Sequence, residues 1–211
     1  RSLVEGDFWT PRWNGEINLH KPPFYYWWVA AGFKVFGFSE LAVRLPSVAA
    51  FILLLVLAYR MMGRLAGNAW AGVLAAGLLA HYPTLVYQSR MGMMDTLVLL
   101  LFLASGWALW RAAERPYGYL VWGAACGCAL LTKGGGAILG PVVGLVWLAV
   151  ARPRAFKTGA FWGAVALLLV IPGVWFGYQY FVHHDALFNT YFVWEVGYRL
   201  RGHSKWETFA T

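Results

Sequence analysis

From Phe161 to Val182 the chain carries no Asp, Glu, Lys, Arg or His. A bilayer core about 30 Å thick needs roughly 20 such residues in helical form. A stretch this long and this apolar leaves few options: it is a membrane-spanning helix, and what surrounds it has to be compatible with lipid. Five more apolar stretches follow the same logic, at Leu45–Met62, Ala69–Tyr87, Thr96–Trp110, Tyr119–Leu131 and Ala137–Ala151. The expected fold is therefore all-α, a polytopic transmembrane bundle of about six helices over residues 45–182. An extracytoplasmic loop of residues 1–44 precedes it and an extracytoplasmic segment of residues 183–211 follows. Thr132-Lys133-Gly134-Gly135-Gly136 reads as the turn of a compact hairpin between the fourth and fifth stretches. Pro172-Gly173 predicts a kink in the sixth.

Composition agrees, with 60% of residues hydrophobic and only 12% charged, against about a quarter charged in an ordinary soluble domain. The net charge of +8 does not indicate nucleic acid, because the basic residues punctuate apolar runs and never form a stripe. They act as topology signals and as contacts for membrane lipids. Arg60, Arg64, Arg111, Arg115, Arg152, Arg154 and Lys157 fall in three short connections that hold one acid, Glu114. The positive-inside rule makes these connections cytoplasmic. The N-terminal region, residues 83–95, the 132–136 turn and the C-terminal segment then share the outer face of the plasma (inner) membrane. Pro23–Phe38 is apolar and aromatic but carries Lys34, and a crossing there would invert every later loop. It is expected to lie in the interface as a juxtamembrane helix. Cys126 and Cys128, two residues apart in an apolar stretch, read as packing thiols.

The outer face collects the residues able to do chemistry. Lys21 precedes two prolines that fix the backbone, so it is either a rigidly held phosphate ligand or a snorkelling interfacial lysine. Asp95 opens a span as a helix cap, as the ion-pair partner of Arg90, or as a cavity carboxylate. Lys133 sits in a Gly-rich turn without P-loop spacing. Glu195 and Arg199 are one helical turn apart, as a surface ion pair would be. A divalent metal held by His20, Glu195 and His203 is an alternative use of the same residues. A transporter would call for internal repeats and midplane polar groups, and neither is evident.

Several strings resemble a known family. They are Gly6-Asp7-Phe8-Trp9-Thr10-Pro11-Arg12-Trp13-Asn14-Gly15-Glu16, then Leu19-His20-Lys21-Pro22-Pro23-Phe24-Tyr25-Tyr26-Trp27, Phe36-Gly37 and Ala42-Val43-Arg44-Leu45-Pro46-Ser47. Ser89-Arg90 with Met94-Asp95, Leu131-Thr132-Lys133-Gly134, Ile171-Pro172, and Glu195 with Arg199 follow in order. Taken together, from Gly6 to about His203, they resemble bacterial membrane glycosyltransferases related to the aminoarabinose transferases of lipid A and the protein O-mannosyltransferases. The resemblance implies a C-type glycosyltransferase fold with juxtamembrane helices in the first outer loop. It also implies a sugar taken from a polyprenyl-phosphate donor and moved to a lipid or protein acceptor. Lys21 matches the lysine expected at the donor phosphate, and Asp95 matches an acidic position near the active cavity. Lys133, Arg199 and Arg201 are further candidates for the phosphate, and Arg90, Glu195 and His203 for the cavity wall. His20 stands where relatives often carry glutamate. The family's first span and its acidic motif are expected before Arg1, so the chain reads as a fragment. A non-catalytic, transferase-derived subunit of a larger membrane complex is the alternative.

Overall fold

A computed structural model describes residues 7–13 and 15–197, without the side chains of Trp13, Phe192, Trp194, Glu195 and Val196. A two-residue hairpin, β1 (Arg12–Trp13) with β2 (Glu16–Ile17), opens it. Helices follow: α1 (Phe24–Phe36), α2 (Glu40–Leu65), α3 (Ala69–Ala80), α4 (Pro83–Arg90), α5 (Asp95–Arg111), α6 (Tyr117–Lys133), α7 (Leu139–Ala151) and α8 (Gly159–Val182). A single turn, α9 (His184–Leu187), leads into a wide-wound π-type run, Phe188–Gly197. The chain is an all-α membrane protein, as its apolar runs predict.

The ends of the helices are chemically marked. Side-chain oxygens of Ser39, Asn68 and Thr158 accept hydrogen bonds from the backbone N–H of Ala42, Trp70 and Phe161, capping α2, α3 and α8. Each replaces a partner that the first turn of a helix lacks. Arg64, Arg111 and Lys133 sit in the last turns of α2, α5 and α6, where a cation complements the helix dipole.

Among the described residues two helices are long and apolar enough to cross a membrane, α2 and α8. Two broken pairs pass the same test together, α3 with α4, bent by 66°, and Tyr117–Ala137 with α7, bent by 107°. This corrects two expectations. The stretch Ala69–Tyr87 is not one straight helix: it stops at Ala80 and restarts at Pro83, because proline has no N–H to donate and is favoured in a first turn. The fourth and fifth stretches make an open corner and not a tight antiparallel hairpin, since Gly134–Ala137 continues α6 as a 3-10 turn before α7 departs. The helix at the first stretch also begins at Glu40, earlier than Leu45, with Pro46 inside it. α8 passes through Pro172 as one helix.

The centre of the bundle is α6, packed between α5 and α8. A Cβ on Gly123 would collide with the carbonyl oxygen of Ala164, and one on Gly127 would lie 3.0 Å from that of Leu167. This small-residue seam, one helical turn in period, lets the two backbones touch, as spanning helices do where there is no water to drive them together. At one end of α6 a core of Leu109, Trp122, Leu148 and Phe161 joins α5, α6, α7 and α8. At the other end Leu131 meets Leu19, Trp175, Leu187 and Tyr191. The second core draws the N-terminal loop onto the bundle.

Candidate active site

That second core places four distant pieces of chain side by side. Leu19 is fully buried against Leu131 and Tyr191, so the corner His20-Lys21-Pro22-Pro23 is anchored over the end of α6. Pro22 and Pro23 are themselves buried, and Lys21 is half-buried. The loop before it is held by α8: the indole N–H of Trp175 and the amide of Gln179 both donate to the carbonyl oxygen of Trp9, each at 2.8 Å. Phe24 and Met94 pack against the Tyr25, Ala50 and Leu97 core, which sets the start of α5 beside the start of α1.

Asp95 is the first residue of α5, and its carboxylate is bound by the ammonium of Lys133, the last residue of α6. Both side chains are mostly covered, at 31% and 27% exposure. Of the readings open to Asp95, the ion pair with Arg90 does not form among the described residues; Lys133 takes that place from 38 residues away. The neighbouring Thr96 is wholly buried and its hydroxyl has no hydrogen-bond partner among the described residues.

Three residues that local sequence reading passed over hold this pair in position. The Tyr25 hydroxyl donates to the carbonyl of Gly92 at 2.7 Å and lies 2.7 Å from the Ser47 hydroxyl, which donates to the carbonyl of Met93 at 2.8 Å. Two hydroxyl protons thus serve three short contacts, tying α1 and α2 to the turn that delivers Asp95. Burial pushes the Tyr25 phenol above its usual value, and the Ser47 contact pulls it back in part. On the Lys133 side, the backbone N–H of Gly135 donates to the Tyr191 hydroxyl at 2.8 Å. Gly134 has φ +58° and ψ −134°, a region open essentially to glycine, and a Cβ there would strike the Tyr191 hydroxyl.

Other expected site residues fall elsewhere. Arg90 lines a separate groove with Arg44 and His81, to which Lys21, Asp95 and Lys133 do not contribute. Arg199, Arg201 and His203 lie outside the described residues, as does the side chain of Glu195. Of the suggested metal ligands, that leaves His20, and no trio of His, Cys, Asp or Glu side chains comes together among the described residues. The described part therefore does not make up a metal site, and no step is routed through one. The cysteines are free thiols.

The family model described as dolichyl-phosphate-mannose-protein mannosyltransferase matches residues 20–176, most of the chain. The chain belongs to that family. Within the mannosyltransferase family and its relatives, it is 34% identical to the undecaprenyl phosphate-alpha-4-amino-4-deoxy-L-arabinose arabinosyl transferase of Pseudomonas paraeruginosa, over 81% of the chain and 33% of that protein. It is 27% identical to arabinosyl transferase 2 of the same description from Sodalis glossinidius, over 91% of the chain and 36% of that protein. Its fold matches crystal structures of ArnT from Cupriavidus metallidurans. The one bound to undecaprenyl phosphate superposes with a TM-score of 0.80 at 23% identity, over 93% of the chain and 38% of that structure; the apo form gives 0.78. The chain thus spans about a third of the length of the relatives it matches.

Proposed function

We propose that this chain is the donor-binding part of a glycosyltransferase that takes a sugar from polyprenyl phosphate at the outer face of the inner membrane and passes it to a lipid or protein acceptor. One observation carries the reading. The Lys21 corner, fixed by two buried prolines, is packed against the end of α6, whose Lys133 grips Asp95, in a chain that superposes on a relative bound to undecaprenyl phosphate. Transfer of 4-amino-4-deoxy-L-arabinose from undecaprenyl phosphate is the example that the relatives' names supply, and lipid A as the acceptor rests on the resemblance alone.

In this reading Lys21 is a compact positive charge held at the level of the headgroups and placed for the donor phosphate. As an acceptor oxygen bonds to the anomeric carbon, the bond from that carbon to the phosphate oxygen breaks. The polyprenyl phosphate leaves with the electron pair, and Lys21 neutralises the charge it gains. The acceptor's proton passes to a carboxylate. Asp95, whose orientation Lys133 fixes, is our candidate for that carboxylate. Arg199 and Arg201 are proposed as additional phosphate contacts and Glu195 and His203 as cavity residues, on the resemblance alone.

Binding of undecaprenyl phosphate to the purified chain in neutral detergent tests the assignment. Lys21→Ala is expected to weaken binding by roughly tenfold or more, the scale of one lost charge-assisted contact. Lys21→Arg should restore it in part, since a planar fork replaces a point charge. Parental affinity in the alanine variant would return Lys21 to the role of a snorkelling side chain.

A further inference from the structure

We propose that the groove between the start of α2, the end of α3 and α4 binds the phosphate of an anionic membrane phospholipid, with the acyl chains lying along α3. The groove has a volume of about 570 Å³, and Arg44, His81, Val86, Tyr87, Arg90 and Met91 contribute to its wall. Three basic side chains from three separate elements face one space, and none of the described residues that line it is an acid. The Arg90 side chain makes no hydrogen bond or ion pair with any other described residue. Arg44 holds Glu40 at 2.9 Å, but that carboxylate is 83% exposed, and an ion pair so open to water is worth little and yields readily to a better anion. Two guanidinium groups from neighbouring helices suit a phosphate, which accepts paired N–H donors.

The backbone builds this arrangement. Gly92, with φ +69°, turns the chain after α4 so tightly that a Cβ there would lie 3.2 Å from the carbonyl oxygen of Val43 and 3.7 Å from Cα of Arg44. The end of α4, and Arg90 with it, is therefore pressed against the turn of α2 that carries Arg44. His81 closes α3, and its Nδ1 is fixed at 2.8 Å from the carbonyl oxygen of Gly77.

Two features select a lipid over a soluble anion. α2 has 26 residues, so at about 1.5 Å per residue it outruns a hydrocarbon core of about 30 Å, and its first turns emerge at headgroup level. Arg44 is in those turns. Below the groove, Leu74 and Leu78 are 67% and 74% exposed and lie on the face of α3 that ends at His81, by their spacing of four and three residues. A cationic notch above a bare apolar stripe matches a phosphate above its acyl chains. The inference rests on the chain being a membrane protein and is independent of the transferase reading.

The test titrates the purified chain, in neutral detergent, with short-chain phosphatidylglycerol, phosphatidylcholine of equal chain length, and inorganic phosphate, following tryptophan fluorescence. Phosphatidylglycerol is expected to bind about tenfold or more tighter than either of the others. Arg44→Gln with Arg90→Gln should erase that preference, while Lys21→Ala should leave it intact. Glu40→Gln, which frees Arg44 without removing a groove cation, should tighten binding; it decides the matter if the double variant does not fold. Equal affinity for phosphatidylcholine or for inorganic phosphate, an unaltered preference in the double variant, its loss in Lys21→Ala, or no tightening in Glu40→Gln would each overturn the proposal.

Discussion

At the scale of single residues, the candidate site depends on groups that brace the turns carrying Asp95 and Lys133. Gly134→Ala must adopt a backbone conformation that costs an L-residue about 1–3 kcal/mol, and its methyl group displaces the Tyr191 hydroxyl from Gly135. The expected outcome is a lower thermal midpoint together with weaker undecaprenyl phosphate binding; a variant with both at parental values would show that Tyr191 does not brace the Lys133 turn. Tyr25 supplies a pH-dependent signature. Its folded-state phenol holds its proton more tightly than the unfolded chain does, because burial disfavours the phenolate. The stability it contributes is therefore complete below about pH 10, the ordinary value, and is lost as pH rises through the raised one. Tyr25→Phe should cost about 1–3 kcal/mol at neutral pH, by leaving the Gly92 carbonyl short of a donor. It should also flatten the alkaline fall in thermal midpoint, with Tyr26, shifted in the same direction by burial and then by Tyr25, keeping part of the slope. An alkaline profile unchanged by the substitution would remove Tyr25 from this role.

At the scale of elements, the seam between α6 and α8 holds the bundle together. Gly123→Val introduces two methyl groups and a Cβ where the Ala164 carbonyl already sits. Forced overpacking of this kind costs about 1–3 kcal/mol or more. Thermal unfolding in detergent should show it, whereas Gly106→Val on α5, where a Cβ meets nothing within 4 Å, should stay within about 1 kcal/mol of parental stability, the scale of helix propensity. The seam was legible in the spacing Gly123-x-x-x-Gly127, a signal that hydropathy windows do not weigh. The break before Pro83 was legible for a related reason, since proline favours the first turn of a new helix, although Pro46 and Pro172 lie inside α2 and α8 without ending them.

For the whole molecule, the arrangement across the membrane follows from loop charge. Arg64, Arg115 and Arg154 are expected on the cytoplasmic side, and Arg12, Lys133 and His203 outside. Single-cysteine variants at these positions, in a background with Cys126 and Cys128 replaced, should divide into an unlabelled and a labelled set when intact cells meet an impermeant thiol reagent. Labelling at position 64 would invert the arrangement. At the end of α7, Leu148 packs against Leu109 and Trp122 and Arg152 donates to the carbonyls of Leu109 and Trp110, so the chain comes back beside the end of α5 and the start of α6, as a shared side for Arg115 and Arg154 requires.

Sequence alone determined what depends on local chemistry. Apolar length dictated helices in a bilayer, since no other open structure satisfies its backbone there. Paired prolines marked the Lys21 corner, the acid opening α5 marked Asp95, and the glycines after Lys133 marked its turn, because each signal lies within a few residues of the group it identifies. The tertiary structure decided the pairings. Asp95 had Arg90 within five residues, yet Lys133 holds it, since the ends of α5 and α6 are brought together by packing along their whole lengths. Tyr25 sits in an aromatic run whose composition says nothing of a carbonyl 67 residues away, and Tyr191 reaches Gly135 across 56 residues. A hydrogen bond needs about 3 Å between its atoms, and separations that long along the chain are closed only by the fold.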